Sequence, residues 1–315
     1  MNKTILNQTF KVLTVAFMPS LAFAQGNFLE DSYDSESVDD QFWPQTKQRM
    51  IEIGLQYESA WDFYKALEAD SEDTTLSLDE VPDWSGLWER EGTPFRYDRD
   101  RVGVETTANL KGEYAARHNE ILANAKQGRI WDPHAGCGQA RGYPGMLKNG
   151  RPHEFAVTPH QTWHLGQARN EVRRIYTDGR DHTPEDWAYE TEHGDSIGFW
   201  DGHTLITHTM YTNGGWIGRL LPYLSTALES IEIWQKTADG KIQADVWLYD
   251  TEALETPWYT RQTYNQMHQE EGSPLRLEYW WNCQSQNNIV IETEDGGTTF
   301  LDFDFTDMDD QAISE

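Results

Sequence analysis

Hydrophobic positions recur with two different periods along this 315-residue chain, and the change of period divides it. Over residues 46–68 the apolar side chains Met50, Ile53, Tyr57, Trp61, Tyr64 and Leu67 fall three and four apart, so on a helix they form one stripe. A second stripe, Leu110, Tyr114, His118, Ile121 and Ala125, runs up to Gly128, a residue suited to ending a helix. His118 sits on that face and reads as a packed core histidine. Between the stripes, Val81-Pro82-Asp83-Trp84-Ser85-Gly86-Leu87-Trp88 reads as a turn opening into a first strand.

After Pro152 the period becomes two. Candidate strands cover 154–158, 162–167, 171–177, 196–200, 204–211, 228–236, 241–249, 258–265, 276–281 and 288–293. Asp178-Gly179, Asp201-Gly202, Asp239-Gly240 and Asp295-Gly296 punctuate them, and Asp-Gly suits hairpin turns whose central residues need positive φ. The pattern predicts a mainly β fold: a lipocalin-like antiparallel β-barrel of about ten strands with an N-terminal helical segment, closed or nearly closed so that strand edges are not exposed. The helical preface with the first strand spans 46–130 and the barrel domain 131–306.

The first 25 residues combine Lys3 and Lys11 with the apolar run 12–17 and the small-residue site Leu21-Ala22-Phe23-Ala24, the pattern of a signal peptide. Export to the periplasm or medium follows, and no later segment approaches the ~20 apolar residues of an integral membrane span. Cleavage moves the formal net charge from -28 to -30, with 23 basic against 53 acidic residues. That balance excludes nucleic acid as a phosphate-bound partner. Residues 26–45 read as an acidic disordered leader and 307–315 as an acidic tail.

Cys137 and Cys283 are the two cysteines. In an exported protein a disulfide between them is expected, two buried thiols being the rival, and their spacing fits no zinc site. No P-loop, dinucleotide fingerprint, H-E-x-x-H or G-x-S-x-G occurs, so no cofactor and no metal are expected.

Cys137 with Gly142-Tyr143-Pro144, the run Val172-Arg173-Arg174-Ile175-Tyr176-Thr177-Asp178-Gly179-Arg180, and Ser196-Ile197-Gly198-Phe199-Trp200-Asp201-Gly202 together resemble an exported bacterial family of lipocalin-like appearance. The likeness runs from Pro82 to about Asn288 and includes Trp258 and Cys283. It implies a fold and no particular activity. Where that family carries acids, this chain has Gln167, His203 and His208, and Gln284 and Ser285 follow Cys283.

His208, His164, Arg180 and Glu232 are the candidate acid-base groups. His182, Trp163, Trp216, Trp258 and His203 are candidate ligand contacts, with Asn213-Gly214-Gly215-Trp216 as a loop tip or lid, or equally part of a long hairpin turn. Against these stand plainer roles: Asp178, Asp201 and His203 as turn residues, Arg180 as a loop clamp, the tryptophans as core. The expected partner is a small aromatic or apolar molecule. The expected function is that of a cofactor-independent lyase, isomerase or hydrolase, or alternatively of a non-catalytic periplasmic binding protein. A catalytic reading requires His164, His208 and Arg180 to converge on one cavity.

Overall fold

In the computed structural model the described residues are 42–71, 75–91, 108–128, 142–148, 150–218, 220–268, 277, 290–292 and 298–300. All lie within one unit, Asp40–Glu315. The N-terminal apolar stripe folds as two helices, α1 (Phe42–Gly54) and α2 (Ala60–Asp70), where one continuous stripe was expected. Ser59 sets the break, because its hydroxyl accepts the Asp62 N–H at 3.0 Å and restarts the helix in a new phase. The restart buries Phe63 beside Met50, Ile53 and Tyr64, while Tyr57 and Leu67 are only half-buried.

Next come β1 (Leu87–Arg90), α3 (Gly112–Lys126) and the single-turn α4 (Gly145–Lys148). The strands β2 (His153–Val157), β3 (Gln161–Gly166), β4 (Glu171–Tyr176), β5 (Asp195–Asp201) and β6 (Thr204–Met210) follow. After the short β7 (Gly215–Trp216) and β8 (Tyr223–Leu224) come β9 (Leu228–Lys236), β10 (Ile242–Asp250) and β11 (Trp258–Gln266). Last are β12 (Val290–Glu292) and β13 (Thr298–Phe300), which pair only with each other.

Nine strands close into a barrel in the order β1-β11-β10-β9-β6-β5-β4-β3-β2. The first strand, read from the turn after Val81, is the one that seals it, pairing with both β2 and β11. One junction departs from the antiparallel expectation: β4 and β5 run parallel through Ile175↔Ser196 and Tyr176↔Ile197. Parallel neighbours need a crossover, and residues 177–194 provide it as a long strap with a 3-10 turn at Glu185–Trp187. Asp178-Gly179 is therefore not a hairpin. Asp178 instead accepts three bonds from the Arg180 guanidinium, at 2.8, 3.1 and 2.7 Å.

Two of the other Asp-Gly signals match turns. Asp201 pairs with Thr204 across the tight β5–β6 hairpin, and Gly240 (φ 84°) turns β9 into β10. Asp295-Gly296 is bracketed by the β12–β13 pairing but lies outside the described residues, as do Cys137, Cys283, Trp280 and Trp281. Of the strand expected over 276–281 only residue 277 is described.

Side-chain alternation sends Trp88, Phe155, His164, Arg173, Trp200, Thr207, Glu232, Trp234, Val246, Trp258 and Tyr264 inward, each register-matched to an inward neighbour. Trp84 closes one end, edge-on to Phe155 and Trp200 and tilted against Trp234. Tyr143, Met146 and Leu147, on and just before α4, are buried in the same core. Outside, the Trp247 indole donates to the Met50 carbonyl and the Tyr249 hydroxyl to that of Gly54, each at 2.7 Å, so α1 is tied to β10. No helix among the described residues is long and apolar enough to cross a membrane.

Candidate functional site

Glu171, Arg173 and Ile175 alternate inward on β4, which places a guanidinium inside the barrel. Its charge is met in full. Arg173 Nη1 and Nη2 donate to the two oxygens of Glu232 at 3.0 and 2.8 Å, Nη2 also to Thr209 Oγ1 at 2.7 Å, and Nε to Ser196 Oγ at 3.1 Å. Glu232 Oε2 further accepts from Thr207 Oγ1 at 2.8 Å and Trp234 Nε1 at 3.0 Å. The Tyr143 ring lies 4.3 Å from the guanidinium carbon, and its hydroxyl donates to Ser230 Oγ at 2.6 Å. Burial alone would raise the Glu232 pKa, but Arg173 and these donors outweigh it and hold the carboxyl ionised. A pair so saturated binds nothing further.

The Tyr143 corner is built by a glycine. Gly142 (φ +77°) donates its N–H to Glu171 Oε1 at 2.9 Å, and a Cβ there would lie 1.6 Å from the Glu192 carbonyl oxygen. Only glycine lets the two backbones approach this closely.

Beside the ion pair the interior has unmet polar groups. His164 Nε2 shares a hydrogen bond with His153 Nδ1 at 2.9 Å, while His164 Nδ1 has no partner. Tyr264 Oη, Gln262 Oε1 and Thr162 Oγ1, on the same inner surface, also have none. Aromatic rings wall this region: Phe155 stacks on His164 with centroids 4.5 Å apart, and Trp234 on Tyr264 at 6.0 Å. Desolvation, with His153, Arg173 and His193 nearby, pushes His164 well below the usual imidazole range. Burial pushes the Tyr264 phenol up. Both groups are therefore neutral near pH 7, and the adjacent ion pair is neutral in sum.

A second polar chain occupies the outer wall. His182 Nε2 meets His208 Nδ1 at 2.7 Å; Asp195 Oδ2 lies 3.5 Å from His182 Nδ1, and Glu229 Oε2 lies 3.5 Å from His208 Nε2. Trp61 and Tyr64 of α2 cover His208, with ring centroids at 5.2 and 5.8 Å. Asp195 also accepts the Thr183 N–H at 2.7 Å. Its burial is outweighed by bonds from His182 and Thr183, which hold it at about 2.

The sequence candidates thus separate. His164, Glu232 and Trp258 are inside the barrel. His208 points outward because it is out of phase with inward Thr207 and Thr209, and there it joins His182. Arg180 is half-exposed, bound to Asp178 and stacked 3.9 Å over Tyr176. Trp163 lies opposite His164 on the outer side of β3, and His203 is an exposed residue of the β5–β6 turn. Trp216 belongs to β7, paired antiparallel with β8 and edge-on to Tyr223 at 5.2 Å, so Gly215-Trp216 follows the hairpin reading of this segment and not the loop-tip one. Among the described residues no group of three or more His, Cys, Asp or Glu side chains could hold a metal ion.

Arg173, Tyr264, His153 and Glu229 were not singled out from sequence. Arg173 had a usable signal: it is in phase with Ile175 on a strand whose other face carries Arg174. Compared with known protein families and with curated proteins, the chain matches no family model and no curated sequence.

Proposed function

We propose that this barrel binds a small, uncharged, planar molecule carrying a hydrogen-bonding group, and that it does so without turnover. The observation that carries the reading is the pair His164 Nδ1 and Tyr264 Oη, both buried on the inner wall and both without a partner. Buried polar groups are nearly always satisfied, so such atoms among aromatic rings mark the place of a guest. Charge selects the kind of guest. Arg173 and Glu232 consume each other, so neither an anion nor a cation finds an uncompensated countercharge there.

The same geometry weighs against catalysis. His164 faces inward, His208 outward, and Arg180 is tied to Asp178 at the surface, so the three do not share a cavity. Glu232, the remaining acid-base candidate, is occupied by four donors. A single neutral imidazole is left, which suits recognition better than proton transfer on both sides of a substrate. Export, read from the first 25 residues, belongs to the same proposal and is checked by cell fractionation.

Quenching of tryptophan fluorescence by phenol and by benzoate tests the binding. Phenol should quench saturably and benzoate should not. Tyr264→Phe should weaken phenol by about fivefold, the worth of one hydrogen bond of ~1 kcal/mol. Equal saturable binding of the two probes, or no effect of Tyr264→Phe, overturns the reading.

A further inference from the structure

The two ends of the barrel are closed by different kinds of contact. Trp84 closes the end where β9 passes into β10, and polar bonds fasten it there. Lys236 Nζ donates to the Asp83 carbonyl at 2.8 Å, Gln266 Nε2 to that of Ser85 at 3.2 Å, and the Trp88 indole to that of Trp84 at 2.9 Å. At the opposite end the Tyr143 corner is fastened as well, through Ser230, Glu192 and Glu171.

The rest of that opposite end is covered by the β7–β8 hairpin, which joins β6, ending at Met210, to β9, starting at Leu228. Ile217, Leu221 and Leu224 of the hairpin are each 1% exposed and share the barrel core with Leu228, Leu248 and Trp258. Both roots are pinned: Ser225 gives its N–H and hydroxyl to the two oxygens of Asp250 at 2.7 and 2.6 Å, and the Asn213 N–H bonds the Thr191 carbonyl at 3.0 Å. Between the roots the hairpin bonds to itself. Ile217 donates its N–H to the Pro222 carbonyl at 3.3 Å and Leu221 to that of Gly218 at 3.0 Å, beside the Gly215↔Leu224 and Trp216↔Tyr223 pairs. On its outer side the Tyr223 ring rests against Tyr114 and Arg117 of α3. The tip is thus held down by aliphatic side chains, and lifting them strands no polar group.

The root after β6 is built to bend. Gly214 and Gly215 have φ of +60° and +108°, and a Cβ at Gly214 would lie 2.6 Å from the carbonyl oxygens of Leu224 and Ser225. At the tip Leu220 also holds φ +60°, a region leucine rarely adopts, so burial keeps the tip closed against its backbone preference.

We propose that the β7–β8 hairpin is a lid, hinged at Gly214-Gly215 and Ser225, which opens as a unit and admits the guest to the barrel. The proposal rests on the reading of the interior as a binding site, and amide exchange tests the hinge without a guest.

On the full chain, the Ile217 amide should exchange through a local opening, faster than the Ile231 and Val246 amides of the barrel wall and with little dependence on low urea. Leu221→Ala should raise that exchange about tenfold or more while the wall amides stay protected. In stopped-flow quenching the same variant should raise the association and dissociation rates of phenol by one common factor, leaving Kd unchanged. Gly215→Ala should act in the same direction, because a Cβ there meets nothing within 4 Å but the closed φ is unfavourable to alanine. Lys236→Met, which unties the Trp84 end, should leave both phenol rates unchanged. Ile217 exchange no faster than that of the wall, or phenol rates that respond to Lys236→Met and not to Leu221→Ala, overturns the lid. Failure of phenol to bind at all counts against the interior reading, and the Ile217 exchange then supports or overturns the hinge by itself.

Discussion

Arg173 and Glu232 show why single side chains decide this fold. Each is wholly buried, and the two are joined by a bidentate contact, with Ser196, Thr209, Thr207 and Trp234 bonded to one or the other. Removing one member strands the charge of the other. Glu232→Leu should therefore destabilise the protein by about 3–5 kcal/mol in urea unfolding, whereas Arg173→Met combined with Glu232→Leu should recover much of the loss. A double variant no more stable than the single one would mean that the pair does more than cancel charge. At this scale the sequence was partly legible. Glu232 and His164 were identifiable as polar residues on apolar strands, but their partners lie 59 and 11 residues away and register alone brings them together. His208 was assigned to the right strand, yet a one-residue difference in phase from Thr207 puts it on the other face.

Among the elements, the 177–194 strap departs most from expectation. Local signals around Asp178-Gly179 favour a tight turn, and the chain does bend there, with Gly179 at φ 79°. Nothing local says that the next strand returns parallel, since that depends on which edge remains unpaired when the barrel closes. The strap is held at both ends: Thr183 by Asp195, and Glu192 by the Tyr143 N–H at 2.7 Å. Gly142→Ala attacks the second tie, because its Cβ collides with the Glu192 backbone and its φ is unfavourable to alanine. The variant should lose about 2–4 kcal/mol of stability, and amide exchange should rise first along residues 190–195. Helix periodicity was legible apart from the Ser59 restart, a capping event that hydrophobic spacing does not reveal.

For the whole molecule, buried histidines set the response to acid. His193 is pushed down to about 4, chiefly by desolvation with Arg173 close by, and His164 and His208 are lowered mainly by burial. Their folded pKa values lie below the unfolded value, so the unfolded chain binds more protons as pH falls. Stability from these groups is complete above about pH 6.5 and declines toward pH 4. Asp195, held at about 2, adds a later loss below its unfolded value. The urea midpoint should accordingly fall between pH 6.5 and 4, and His193→Gln should flatten that slope. An unchanged slope in the variant would remove His193 from the account.

The barrel itself is the feature most plainly written in the chain, since inward and outward alternation survives along every long strand. What occupies its polar interior rests on His164 and Tyr264. A crystal soaked in 4-bromophenol and measured at the bromine edge tests this most directly. The account predicts one anomalous peak inside the barrel, with the phenol oxygen within hydrogen-bond distance of His164 Nδ1 or Tyr264 Oη. Ordered water at both atoms, with bromine only on the outer surface, would contradict it.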